Sequence, residues 1–188
     1  MRFAGCLCAS IPSLALATKV IVVIAHREIH VPTNTGRLAT QALVNSAILV
    51  HGIQGSICDL SVHLRPDRQA LLLYPGEDAE LLTSEVVQRY GGNVDLVVPD
   101  GNWRKTSKMR RRIPGMDVLP TVRLAPGAPS AYRVRRETKS EGLATIEAIA
   151  RALGVIEGLD GPAVQTALEE LMAIMVRRTM VSRSGGAF

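Results

Sequence analysis

Hydrophobic residues along the chain fall into short β-branched runs, separated by segments whose apolar positions recur with helical spacing. The runs at 19–25, 68–74 and 94–98 are nearly continuous, as expected of strands that are covered on both faces of a parallel sheet. A further run at 119–124 predicts another strand. Strands that alternate with helices at this spacing predict an α/β protein with a mostly parallel sheet flanked by helices.

The intervening segments predict five helices. Their expected positions are 35–50, 77–90, 103–113, 142–153 and a C-terminal helix within 156–180. Asn34 or Thr35 is expected to cap the first helix, and Gly91 with Gly92 to end the second. Gly154 is expected to end the fourth helix.

Length and composition predict one soluble domain that spans residues 1–188, with a disordered tail at 182–188. No apolar run approaches the roughly 20 residues that cross a bilayer, so no membrane partner is expected. Three cysteines are too few for a disulfide framework and indicate a reducing, cytoplasmic location. The net charge of +5 suits a nucleic-acid partner without requiring one.

Asp100 and Trp103 lie where the third buried run gives way to a helix. Pro99 and Gly101 are expected to end the strand, and Asn102 is a good N-cap. Ligands of open α/β sheets bind at the carboxyl ends of the strands, so Asp100 and Trp103 are candidate catalytic residues. In the alternative interpretation, Asp100 caps the turn and Trp103 packs in the core. Spacing alone favours this alternative, because a single D-G-x-W is a weak motif.

The helix that follows is strongly basic. One face carries Arg104, Lys108, Arg111 and Arg112, with Lys105 and Arg110 beside it. Such a run usually marks a solvated helix face. Six positive charges without an acid repel one another, however, and this favours a polyanion such as nucleic acid lying against them. Arg135 belongs to a second basic patch and is a further candidate nucleic-acid contact.

Two cysteines near the start, Cys6 and Cys8, form a C-x-C pair, a candidate half-site for a metal. Thiolate zinc sites usually need four ligands, so this pair alone predicts no metal centre. The alternative is two small thiols near the core. Farther along, Glu147 and Arg151 have the i,i+4 spacing of a surface ion pair, which is the simplest interpretation of Glu147.

Taken in order, eight stretches resemble the DTW-domain family of tRNA-uridine aminocarboxypropyltransferases, which are related to the SPOUT group of RNA-modifying enzymes. These stretches are Cys6-Leu7-Cys8, His26-Arg27-Glu28, Asn34 to Leu38, Leu72 to Pro75, Asp100 to Trp103, Leu119-Pro120, Pro129 to Tyr132 and Leu143 to Ala148.

The resemblance implies a SPOUT-like fold with a C-terminal trefoil-type knot. It also implies transfer of the 3-amino-3-carboxypropyl group of S-adenosylmethionine to N3 of a uridine in tRNA, with release of 5′-methylthioadenosine. Asp100 would accept the imide proton or orient the base, with burial beside Trp103 raising its pKa, while Trp103 would stack on a base or wall the cofactor. The positions implied to surround the cofactor are Tyr74, Pro75, Leu119, Pro120, Ser130, Thr145 and Glu147.

The chain departs from the family pattern at two places. Asn102 stands where the family signature has Thr, a mild change because Asn also caps helices. The earlier C-x-x-C pair of the zinc-containing members is missing, so residues 1–18 are interpreted as the remnant of a Cys-containing segment and zinc is not expected from Cys6 and Cys8 alone. Two alternatives to the transferase are a SPOUT-type RNA methyltransferase and a non-catalytic RNA-binding relative.

Overall fold

The architecture is a parallel sheet between two layers of helices. The structure, a computed structural model, describes residues 6–101, 103–132, 134 and 142–184, with residues 103–105 and 182–184 described by their backbone alone. Within these residues, six strands form one sheet in the order β2-β1-β5-β3-β6-β4, and every pairing is parallel. The strands are β1 (Val20–Ala25), β2 (Ser46–His51), β3 (Gln69–Leu73), β4 (Glu80–Leu81), β5 (Val94–Asp100) and β6 (Thr121–Arg123). The predicted α/β class is confirmed; the trefoil-type knot stays a prediction.

Helices cover both faces of the sheet, which explains why its central strands are apolar throughout. Alternate residues of β1, such as Val22 and Ile24, belong to a core shared with four of the helices described here, whereas Ile21 and Val23 pack on the other face with Met109. The helices are α1 (Thr35–Ala42), α2 (Ser84–Arg89), α3 (Trp103–Arg112), α4 (Thr145–Ile156) and α5 (Gly161–Ser184). α1, α2, α4 and α5 cover the first face, and α3 covers the second.

The prediction of one helix over 35–50 is wrong. α1 ends at Ala42, Leu43 takes up an extended conformation, and residues 46–51 form the edge strand β2 beside β1. Residues 47–50 fit two patterns: their apolar side chains continue the helical spacing of α1, and they also form a short apolar run of the kind found in strands. Tertiary pairing with β1 decides the outcome.

The prediction of a helix that begins at Glu77 is also wrong for its first residues. Residues 80–81 form the short strand β4, and α2 begins only after Thr83, whose side chain accepts a hydrogen bond from the backbone N–H of Val86. Gly91 and Gly92, both at positive φ, follow the end of α2 as predicted.

Pro99 does not end β5, which continues to Asp100. Pro99 pairs with Val23 of β1, while the pairing of β5 with β3 stops at Val97. The last residues of β5 are therefore paired along one side, where a residue without an N–H can be accommodated.

Gly154 does not end α4, which starts later than predicted and runs to Ile156. A Cβ on Gly161 would overlap the carbonyl oxygen of Gly154, and one on Gly154 would overlap the Gln165 side chain. The two glycines therefore let the backbones of α4 and α5 approach closely. The predicted inward stripe of α5, from Val164 to Met175, is buried. Helix α5 extends to Ser184, into the segment expected to be a tail.

Candidate active site

Asp100 is the last residue of β5 and lies at the carboxyl edge of the sheet, between β1 and β3. It pairs with Ile24 of β1, and its side chain points to the face covered by α1 and α4. Asp100 as a whole residue is 7% exposed. A buried acid at the carboxyl end of a central parallel strand occupies the place where ligands of such sheets bind.

Both carboxylate oxygens of Asp100 accept a hydrogen bond from another element of the fold. The side-chain amide of Asn34 donates to Oδ2 at 2.5 Å. The hydroxyl of Thr145, the first residue of α4, donates to Oδ1. Turn capping alone does not account for these contacts, because they connect β5 with α1 and α4.

Asn34 has two functions at once. Its Oδ1 accepts the backbone N–H of Arg37 at 2.7 Å, so it is the N-cap of α1 as predicted, and its amide group is thereby turned toward Asp100. Gly36 leaves space for the acid, since a Cβ there would come within 3.1 Å of Asp100 Cγ and Oδ2. The sequence suggested the cap but not its contact with Asp100; the signal was that Asn34 follows β1 at the same sheet edge.

Glu147 is the second buried acid near this edge, at 4% exposure. Its carboxylate accepts hydrogen bonds from the Ser130 hydroxyl at 2.5 Å, the Ala131 N–H at 2.7 Å and the Ala144 N–H at 2.8 Å. Interpretation of Glu147 as half of a surface ion pair is therefore wrong, and Arg151 donates instead to the carbonyl of Ala128.

The segment 130–132 is tied to the residue before Asn34. The Tyr132 hydroxyl donates to the carbonyl of Thr33 at 3.0 Å, and the Tyr132 N–H donates to Ser130 Oγ at 3.1 Å. Segment 130–132, the start of α4 and the cap of α1 therefore form one connected group around Asp100.

The other predicted cofactor positions divide between the two ends of the sheet. Tyr74 and Pro75 follow β3, and continuing the register Leu72–Val97 places Pro75 level with Asp100. Leu119 and Pro120 precede β6 and lie toward the amino ends of the strands, where Leu119 lines an open depression with Arg68. Tyr74, Pro75 and Thr145 therefore lie at the same edge of the sheet as Asp100, whereas Leu119 does not. Trp103 begins α3, and its side chain lies outside the described part of the chain.

Among the side chains of the basic helix α3 that the structure describes, Lys108, Arg111 and Arg112 are exposed to solvent. Arg110 instead forms an ion pair with Asp78, with Nη2 to Oδ2 at 2.5 Å, which joins α3 to the loop after β3. This hydrogen bond from Arg110 holds the pKa of Asp78 below its ordinary value. The side chain of Arg104 and all of Arg135 fall outside the described residues.

The C-x-C pair lies far along the chain from these groups. Sγ of Cys6 is 2.6 Å from Sγ of Cys8, and both side chains are exposed. The hydrogen bond with Cys8 lowers the pKa of the Cys6 thiol. Within the described ranges, no cluster of three or more His, Cys, Asp or Glu side chains has the arrangement of a metal site.

A third buried acid, Asp95, lies at the amino end of β5 and is 1% exposed. It accepts hydrogen bonds from the Lys19 N–H at 3.0 Å, from Arg68 Nε at 3.0 Å and from Arg65, whose Nε lies at 2.8 Å. Burial is the largest influence and opposes ionisation, yet the Arg65 and Lys19 hydrogen bonds keep the pKa of Asp95 below its ordinary value. Asp95 therefore connects the strand to segment 65–68, at the end of the sheet opposite Asp100.

Fold and site together define a parallel α/β domain with a buried acid at the carboxyl edge of its sheet. The sequence matches the DTW domain over residues 1–180, so the chain belongs to the DTW-domain family. Among curated relatives, it is 34% identical over 89 residues to tRNA-uridine aminocarboxypropyltransferase 2 of Drosophila melanogaster. That match covers 47% of this chain and 35% of the relative, so it spans about a third of the relative's length.

Among solved structures, the chain is similar to the SAM-dependent rRNA:acp-transferase Tsr3 from Vulcanisaeta distributa. The superposition covers 86% of this chain and 100% of that chain, with 16% identity and a TM-score of 0.47. In the part of the chain that the structure describes, no helix is both long and apolar enough to span a membrane.

Proposed function

We propose that this protein transfers the 3-amino-3-carboxypropyl group of S-adenosylmethionine to N3 of a uridine in tRNA and releases 5′-methylthioadenosine. The observation that carries the proposal is the buried carboxylate of Asp100, held at both oxygens at the carboxyl edge of the sheet in a member of the DTW-domain family. The name of the Drosophila relative, a tRNA-uridine aminocarboxypropyltransferase, supports aminocarboxypropyl transfer to a uridine in tRNA.

The sulfonium of S-adenosylmethionine supplies an electrophilic carbon: the N3–carbon bond forms as the carbon–sulfur bond breaks, and the sulfur keeps the electron pair as a neutral thioether. The protein must remove the imide proton of uridine and orient the base. An ionised carboxylate only accepts hydrogen bonds, and the Asp100 carboxylate is held at the carboxyl edge of the sheet by Asn34 and Thr145. Asp100 is thus equipped to accept the N3–H hydrogen bond and then its proton.

The residues assigned to the cofactor fit this edge unequally. Tyr74, Pro75 and Thr145 lie at the level of Asp100 and would hold the cofactor beside it. Ser130 and Glu147 bind each other and the backbone, so they shape the site from within. The assignment of Leu119 and Pro120 to the cofactor rests on the family pattern alone. The same holds for Trp103, which would stack on a base or contact the cofactor.

We assign the exposed cations of α3, Lys108, Arg111 and Arg112, to the tRNA phosphates, together with Arg104 and Arg135. Arg110 is excluded from this set because Asp78 already neutralises it. A row of point charges on one helix positions the RNA without reading its sequence.

Replacing Arg111 and Arg112 by Ala should weaken tRNA binding and make it less sensitive to salt. Each lost phosphate contact should flatten the slope of log K against log salt concentration by about 0.7–0.9, so the pair should flatten it by roughly 1.5. Fluorescence anisotropy across a salt series measures the slope. The control removes Arg177, an exposed cation of α5; a change of slope per removed charge equal to that of the Arg111 and Arg112 variant would contradict the assignment of α3 to RNA.

The reaction itself is tested by incubating the protein with total tRNA and cofactor labelled separately in the methyl and carboxyl carbons. Label in tRNA from the carboxyl carbon, with methylthioadenosine as coproduct, is the expected result. Label from the methyl carbon would identify a methyltransferase. Salt-dependent tRNA binding without transfer of either label would identify a non-catalytic RNA-binding protein.

A further inference from the structure

We propose that Glu147 is a positioning residue for this transfer: it joins segment 130–132 to the start of α4 and so keeps the Thr145 hydroxyl on Asp100. The inference rests on the proposed function. It assigns to Glu147 a task different from cofactor contact.

The carboxylate of Glu147 is committed to the protein on both oxygens. Oε1 accepts the Ala131 N–H, and Oε2 accepts both the Ser130 hydroxyl and the Ala144 N–H. The donors come from two segments that are separate in the chain. With 4% of its surface exposed, Glu147 acts on a ligand through the groups it holds.

Two routes lead from Glu147 to the two oxygens of Asp100. Along the first, the Ala144 N–H held by Glu147 precedes Thr145, whose hydroxyl donates to Oδ1. Along the second, Ser130 accepts from the N–H of Tyr132, whose hydroxyl binds the carbonyl of Thr33, the neighbour of Asn34.

A carboxylate is the side chain that this arrangement requires. Three N–H or O–H donors point at it, so an amide of the same shape would turn its NH₂ group toward at least one donor. The start of α4 would then shift away from segment 130–132. Group transfer depends on orientation, and a misplacement of about 1 Å can cost roughly 100-fold in rate.

The test is a double-mutant cycle in kcat with Glu147→Gln and Thr145→Val. Each single variant should lower kcat by roughly 10- to 100-fold with little change in KM for tRNA. If Glu147 acts through Thr145, the double variant should be no slower than the slower single variant. Multiplicative losses, or wild-type kcat in Glu147→Gln, would overturn the inference. Thr145→Ser, which keeps the hydroxyl, should restore most of kcat.

Asp95→Asn is the control for a merely structural loss, because Asp95 is also a buried carboxylate with several donors but lies at the far end of the sheet. It should lower the melting temperature and leave kcat unchanged well below that temperature. If the kcat of Glu147→Gln falls only in step with its folded fraction, the inference fails. Should that variant not fold, Ser130→Ala enters the same cycle, and wild-type kcat there would be equally decisive against the inference.

The two hypotheses fail differently. A wild-type protein that transfers no carboxyl label to tRNA overturns the proposed function and, with it, the role of Glu147. An active wild type with a multiplicative cycle overturns the role of Glu147 alone.

Discussion

Replacing Asp100 by Asn should nearly abolish transfer, lowering kcat by about 100- to 10,000-fold, the range associated with loss of a proton acceptor. The substituted amide keeps the shape of the side chain: its oxygen can accept from Asn34, and its NH₂ can donate to the Thr145 hydroxyl. The fold around the site should therefore persist while the negative charge is lost. Single-turnover assays with saturating tRNA and cofactor measure the effect on chemistry directly.

Affinity for tRNA should be nearly unchanged in Asp100→Asn, because the proposed phosphate contacts are the cations of α3 and Arg135. An anisotropy titration checks this. Parallel losses of transfer and tRNA affinity would count against a role for Asp100 in chemistry, and retention of wild-type kcat would exclude it as the proton acceptor.

Replacing Asp95 by Asn should be the most destabilising single change of a polar residue at the amino end of the sheet, by about 2–4 kcal/mol. The variant leaves Arg65 and Arg68 without their buried counterion and turns an NH₂ toward a donor. The expected loss of unfolding free energy is smaller than for a fully buried ion pair, because the Arg65 side chain is 31% exposed and its guanidinium can be hydrated when Asp95 is replaced. Urea unfolding at neutral pH measures it; Glu80→Gln, in the exposed pair with Arg89, should change stability by less than about 0.5 kcal/mol.

The contribution of Asp95 should also depend on pH. Its pKa is lowered in the folded protein, so the stability it provides is fully present above its unfolded pKa of about 3.9. It is lost as the pH falls through the lowered folded pKa. The difference in unfolding free energy between wild type and Asp95→Asn should therefore shrink below about pH 4. A constant difference down to pH 2 would contradict this linkage.

The sequence predicted the central sheet well because its strands are buried on both faces. In β1, β3 and β5 the apolar runs are nearly continuous, and local composition and tertiary environment agree there. Prediction failed at the periphery, where β2 and β4 are specified by their pairing rather than by their residues. The prediction that Gly154 ends α4 was wrong for a related reason. A glycine that ends a helix cannot be told from the sequence apart from one that lets two helices touch.

At the candidate site, the sequence and the family pattern singled out Asp100, Thr145 and Glu147 without revealing that hydrogen bonds connect them. Asn34 and Thr145 are 66 and 45 residues from Asp100 along the chain, and only the parallel topology brings their side chains to the same carboxylate. The burial of Glu147 was equally hidden, because its i,i+4 spacing to Arg151 is typical of an exposed helix surface.

The backbones of α4 and α5 touch at Gly154 and Gly161, so α5 supports the position of the helix that carries Thr145. This contact between the helices lies about nine residues, or roughly 13 Å, from the first turn of α4. A methyl group on Gly161 would press against the backbone of α4, and a tilt of α4 by about 5° over that length moves its far end by about 1 Å. A substitution at this contact should therefore disturb the hydrogen bond between Thr145 and Asp100, although it changes no residue that is proposed to contact a substrate.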